Sequence, residues 1–106
     1  MEGAHFLATG KLVSLSEQNL VDCSHNGNLG CMGGMMDRAF EWTKDHPLET
    51  EADYPYQGWT IGAGCRYDSA KGLVSVTSYI HVTVNDAEAL KAAVVQGPVS
   101  VAIQAN

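Results

Sequence analysis

The sequence predicts an α+β fold, with helices concentrated in the first half and strands in the second. Three observations lead there. Helical stretches closed by caps or glycines recur over the first 45 residues. Residues 73 to 82 then alternate apolar and polar, and a capped helix ending at Gly97-Pro98 runs into the short apolar segment Val99 to Ile103. A chain of 106 residues buries only about 60 to 70 % of its unfolded surface, enough for one small core and marginal for two.

The elements follow in order. Residues 2 to 9 read as the tail of a helix, with Ala4, Leu7 and Ala8 at helical spacing and Gly10 placed to end it in the left-handed conformation. Lys11-Leu12-Val13 is an extended link. Ser16 can cap a second helix over about residues 17 to 23, Ser14 to Glu17 also fits a capping box, and Leu20 and Val21 are expected to face the core. Ser24 to Leu29 is a polar turn region in which Asn26-Gly27 favours positive φ. Gly33-Gly34 leads into a helix over about residues 35 to 45, whose stripe of Met35, Met36, Ala39, Phe40 and Thr43 reads as core. From His46 to Gly64 prolines and glycines break the pattern into irregular surface, which needs an anchor if it lies in a compact domain.

Residues 73 to 82 then read as a half-buried strand, with Val74, Val76, Ile80 and Val82 on one face and Ser75, Thr77, Tyr79 and His81 on the other. Asn85 to Glu88 fits a capping box for a helix carrying Ala87, Leu90, Ala93 and Val94. Val99 to Ile103 is a second strand.

Composition excludes several functions. The net charge is −6 and the six basic residues are scattered, so no nucleic-acid partner is expected, because phosphate binding needs clustered Lys and Arg. No apolar run approaches the roughly 18 residues of a membrane span, and no membrane partner is expected. Three cysteines leave one thiol without an internal partner if the other two pair.

The ordered series Ser16-Glu17-Gln18, Val21-Asp22-Cys23, Cys31-Met32-Gly33-Gly34, Tyr54-Pro55-Tyr56, Cys65 and Gly97-Pro98-Val99-Ser100-Val101 resembles the middle of a papain-like cysteine protease, close to the cathepsin L branch. The departures are local: Asn is common where Met32 stands, and Trp59 to Gly64 has no counterpart. The resemblance implies a helical left domain, residues 1–79, and the first part of a right β-barrel domain, residues 80–106. It also implies a fragment lacking the catalytic Cys, His and Asn, and hence a chain inactive by itself. In the intact enzyme a thiolate paired with imidazolium attacks the peptide carbonyl, and the residues present here hold the peptide in register. No cofactor is implied.

Site residues follow from the same resemblance. Cys23 pairs with Cys65, which leaves Cys31 unpaired within the chain. Gly34, after Gly33, lines the cleft, where a backbone free of side chain can pair with an extended substrate. Met35 and Met36 form one wall of the S2 pocket, which takes the side chain two residues before the scissile bond, and Ala102 forms another. Two thioethers and a small residue make a roomy apolar pocket for bulky side chains. Glu2 and Glu17 match acidic positions of the family and read as structural charges.

Other readings of these residues are weaker. On spacing alone the glycine pair is a turn. A metal site from Cys23, His25 and Cys31, with Cys65 or His5, lacks the short ligand pairs of structural zinc. A nucleophilic thiol needs a base and an electropositive setting, whereas Asp22 precedes Cys23 and the surroundings are acidic. His5, His25, His46 and His81 sit off the family's catalytic position, and the base of such enzymes follows its nucleophile by about 130 residues, more than the chain holds.

The expected partners are a peptide or protein substrate, the remainder of the protease chain, and protease inhibitors or a prodomain. The expected compartment is lysosomal or extracellular. The rival function is a truncated, non-catalytic chain that binds peptides or acts as a decoy for inhibitors. Against it, such a chain exposes a large apolar face.

Overall fold

The computed structural model describes residues 1–59 and 64–105, so residues 60–63 of the irregular run and Asn106 lie outside it. Four helices form in order: α1 (Glu2–Thr9), α2 (Glu17–Cys23), α3 (Met36–Asp45) and α4 (Ala87–Gln96). Short 3₁₀ turns occur at Gly30–Met32 and Ser69–Lys71.

Local chemistry sets the helix ends. Gly10 closes α1 at φ 75°, its N–H donating to the Phe6 carbonyl at 2.7 Å. Ser16 caps α2: its hydroxyl accepts from the Asn19 N–H at 2.9 Å and donates to the Tyr54 carbonyl at 2.6 Å. The capping box expected from Asn85 falls one residue early. Asp86 is the cap and accepts from the Ala89 N–H at 2.9 Å, while Asn85 takes a positive φ of 58°.

Leu15, Leu48 and Val74 form the apolar core, with Met1, Val13, Leu20 and Trp42 packed against them. Two isolated antiparallel bridges, Leu15 to Thr50 and Leu48 to Val74, hold these three distant parts of the chain together. Leu48 donates to the Val74 carbonyl at 2.7 Å and accepts from the Leu73 N–H at 2.8 Å.

The largest fully buried side chains are polar: Gln18, Glu49, Asn19, Thr43 and Asp22. Each side chain of α2 buried this way is matched by a partner, as burial of polar groups requires. Gln18 Nε2 donates to Asp22 Oδ1 and to the Trp59 carbonyl, both at 2.8 Å, and Gln18 Oε1 accepts from the Gln57 N–H at 2.8 Å. Asn19 Oδ1 accepts from the Glu49 N–H at 3.1 Å. The Tyr54 hydroxyl donates to Asp22 Oδ2 at 2.8 Å and accepts from the Arg66 N–H at 3.1 Å. Burial, followed by the Asp22 carboxylate, raises the Tyr54 pKa above its ordinary value of 10.0. Thus α2 turns a polar face toward the irregular segment and gives it hydrogen bonds that segment cannot make internally. Leu20 and Val21, expected to face the core, are half-buried.

The Cys23–Cys65 disulfide fastens the same segment from its far end, with Cα atoms 4.8 Å apart. It closes across 42 residues, for which loop-closure arithmetic gives about 4 kcal/mol. This bond and the α2 side chains supply the anchor that an irregular run of this length needs.

The two expected strands do not form among the described residues. Of residues 73 to 82, only Val74 pairs, in its bridge to Leu48. Ile80, assigned to the buried face, is 87 % exposed, whereas Tyr79, assigned to the other face, is half-buried with its ring 6.1 Å from that of Phe40. Residues 99 to 103 make no backbone hydrogen bonds to other described residues. An alternating sequence becomes a strand only when a neighbouring backbone meets its N–H and C=O groups along its length, and among the described residues only Leu48 does so, at Leu73 and Val74.

Candidate functional site

The loop from Ser24 to Met35 is built by short-range bonds that leave its tip open. Gly27, at φ 95°, turns the chain, its N–H donating to the His25 carbonyl at 2.8 Å. Arg38 of α3 fastens this turn: Arg38 Nη1 donates to the Gly27 carbonyl at 2.6 Å, and the Arg38 carbonyl accepts from Asn26 Nδ2 at 2.8 Å. After the 3₁₀ turn, Gly33 adopts φ 116°, a conformation that side-chain-bearing residues rarely reach, and its carbonyl accepts from the Leu29 N–H at 2.8 Å.

Gly34 lies close against a neighbouring side chain. A Cβ on it would run into the Asn28 carboxamide, 2.8 Å from its Cγ. Gly34 is exposed, and neither its N–H nor its C=O has a hydrogen-bond partner among the described residues. Met35 and Met36 follow at 56 % and 41 % exposure. The expectation that they belong to the core is therefore corrected. On this helix Thr43 is buried, Ala39, Phe40 and Trp42 are half-buried, and the methionines lie at the open end.

Beside them lies a cavity of about 430 Å³, lined by residues of α1, α2 and α3 that include Glu2, Glu17, Leu20, Met36 and Phe40, and by Ser100. Glu2 is held in place here, Oε1 accepting from the Leu15 N–H at 2.7 Å. The structure thus brings Met36 and Ser100 to one cavity. Gly33, Gly34, Met35 and Ala102 do not line it. Ala102 is exposed, two residues along the chain from Ser100.

Cys31 is exposed and is the free cysteine among the described residues. It has no hydrogen-bonded base. The histidines are engaged locally instead: His25 Nε2 lies 2.7 Å from the Asp22 carbonyl, and the His46 ring stacks on Trp42 at 4.5 Å between centroids. His81 Nε2 lies 3.2 Å from Asp37 Oδ2. Among the described residues no three His, Cys, Asp or Glu side chains converge to hold a metal ion. What the arrangement offers chemically is a glycine backbone edge with free donor and acceptor beside exposed thioethers, suited to binding an extended chain.

Asn28 and the α1–α2–α3 cavity escaped the sequence reading. Asn28 stands seven residues before Met35, whose N–H its Oδ1 accepts at 2.8 Å. That spacing belongs to no local capping pattern, so only the loop closure reveals it.

The whole chain, residues 1–106, matches the family model of papain family cysteine proteases. It is 50 % identical over 109 residues to a cathepsin L-like peptidase of Aedes aegypti, covering 100 % of this chain and 32 % of that protein. It is 44 % identical over 108 residues to procathepsin L of Rattus norvegicus, again covering 100 % of this chain and 32 % of the other. The chain therefore spans about a third of the length of the curated relatives it matches.

Solved structures give the same fold. Digestive procathepsin L 3 from the larval midgut of Tenebrio molitor superposes with a TM-score of 0.80 at 41 % identity, over 86 % of this chain and 30 % of that one. The Carica candamarcensis cysteine protease CMS1MS2, solved in complex with E-64, gives 0.82 at 33 % identity, over 91 % and 44 % of the two chains. The fold is papain-like and α+β, and the chain belongs to the papain family of cysteine proteases.

Proposed function

We propose that this chain supplies part of the substrate-binding cleft of a cathepsin L-like cysteine endopeptidase, which hydrolyses peptide bonds, and that residues 1–106 alone do not hydrolyse them. The observation that carries the reading is Gly34: exposed, lacking a side chain, and with both backbone groups unpartnered among the described residues. An extended peptide can pair there as an added strand. Met35, Met36 and Ala102 are the side chains assigned to the neighbouring pocket, with the cavity at Met36 and Ser100 in support. Their share of the work is to hold the peptide in register for a thiolate outside residues 1–106.

The same reading divides the chain near residue 79 into a left domain and the start of a right one, supported by the end of dense burial at Val74. It assigns a lysosomal or extracellular location, in line with the Cys23–Cys65 disulfide, a bond that forms on the secretory route. Inhibitors and a prodomain are further partners, in line with a structural neighbour solved with E-64 and another that is a procathepsin.

The test is a panel of peptides varied two residues before the scissile bond, offered to the longest polypeptide that the reading frame containing these residues encodes. The expected result is thiol-dependent hydrolysis favouring Leu, Phe or other bulky apolar residues at that position. A preference for Arg overturns the pocket assignment. Peptide binding with no hydrolysis favours a non-catalytic binding protein instead.

A further inference from the structure

We propose that Asn28 is a positioning residue for peptide binding, holding the Gly34 backbone edge in the conformation that receives substrate. The inference rests on reading Gly34 as that edge, and deepens it. Asn28 reaches both sides of the loop at once. Its Oδ1 accepts from the Met35 N–H at 2.8 Å, and its Nδ2 donates to Ser24 Oγ at 3.1 Å.

Each end of this link is firm or needed. Ser24 is only 1 % exposed, follows the disulfide-bonded Cys23, and donates its N–H to the Leu20 carbonyl at 3.0 Å. Met35 precedes α3 as its N-cap residue, and its own side chain makes no capping bond. The Asn28 carboxamide therefore serves a helix start that lacks a local cap. It also occupies the space that a Cβ of residue 34 would need. Gly34 is backed by Asn28 on that side, and its free N–H and C=O are left for a ligand.

Removing the carboxamide leaves the tip of the loop with only its own backbone bonds, Leu29 to Gly33, Met32 to Leu29 and Gly33 to Gly30. The peptide must then order Gly34 as it binds, and that cost falls equally on the bound substrate and on the transition state. The effect belongs in KM, not kcat.

The test uses the same full-length polypeptide and its preferred peptide. Asn28→Ala is expected to raise KM about three- to tenfold, the range for losing one or two hydrogen bonds, with kcat within about twofold of wild type. Asn28→Asp keeps the acceptor for Met35 and places negative charge at a helix start but loses the donor to Ser24 Oγ, so it restores KM in part, to between the wild-type and Asn28→Ala values. Gly34→Ala is expected to weaken binding in the wild type and to weaken it less in the Asn28→Ala background, where the obstructing carboxamide is gone.

An active wild type whose Asn28→Ala variant keeps its KM overturns the role given to Asn28 and leaves the cleft intact. A fall in kcat alone, unrescued by Asn28→Asp, also overturns it. A wild type that neither binds nor cleaves peptide removes the cleft reading itself, a separate and distinguishable failure.

Discussion

Residues up to Val74 and residues beyond it follow different rules. In the first region the helices and the irregular segment meet across the Leu15–Leu48–Val74 core or through the buried side chains of α2, and the Ser24–Met35 loop is fastened to α3 by Arg38. In the second no described residue is buried, and Val95, Val101 and Ile103 stand 83 %, 57 % and 81 % exposed. Yet α4 forms there all the same, capped by Asp86. The difference shows that a helix can be specified by its own ends and internal bonds, whereas a strand needs a second strand to exist at all.

Stability measurements can break or sharpen this contrast. The largest effect is expected from replacing Cys23 and Cys65 together by alanine. It should cost about 4 kcal/mol, seen as a lower urea midpoint, by freeing the segment that covers α2. A loss below about 1 kcal/mol would mean that the polar contacts anchor that segment unaided.

Next comes Tyr54→Phe, which removes the hydroxyl that satisfies the buried Asp22 and is expected to cost about 2 kcal/mol at neutral pH. The folded-state pKa of Tyr54 is raised, so its contribution is fully present below the unfolded value of 10.0 and is lost as pH rises through the folded value. Urea midpoints of the wild type should therefore fall as pH climbs past 10, and fall less steeply in Tyr54→Phe. The smallest effect is expected from Val95→Ser or Ile103→Ser, about 0.5 kcal/mol or less, because neither side chain is withdrawn from solvent. A large loss from either would place a hidden contact in the second region.

Much of the helical architecture was legible because its signals are local. Gly10, Ser16 and the Gly97-Pro98 stop act within a few residues of the ends they define. Gln18, Asn19 and Asp22 were not legible as core, since polar residues read as surface until the chain near Tyr54 and Trp59 folds over them. The strands misread for the opposite reason: Ile80 and Ile103 carry the right alternation, but alternation records a face and not a partner. At the candidate site the glycine pair was visible in the sequence, whereas the link from Asn28 to Met35 depends on how the intervening turn closes. The cavity beside Met36 depends on residues of three helices bordering one hollow, which no single segment reports.

Gly3 on α1 sits so close to Pro98 that a methyl group placed there would come within 2.7 Å of the proline Cγ. Across the same seam Gly97 faces Leu7, with 3.3 Å available to an added methyl. Two missing side chains thus let the opening helix and the end of α4 lie against each other. Gly3 also borders the hollow that Ser100 lines, so enlarging it would press on Pro98 and narrow that hollow directly, whereas enlarging Gly97, which lies off the hollow, would reach it only through the displaced chain leading to Ser100.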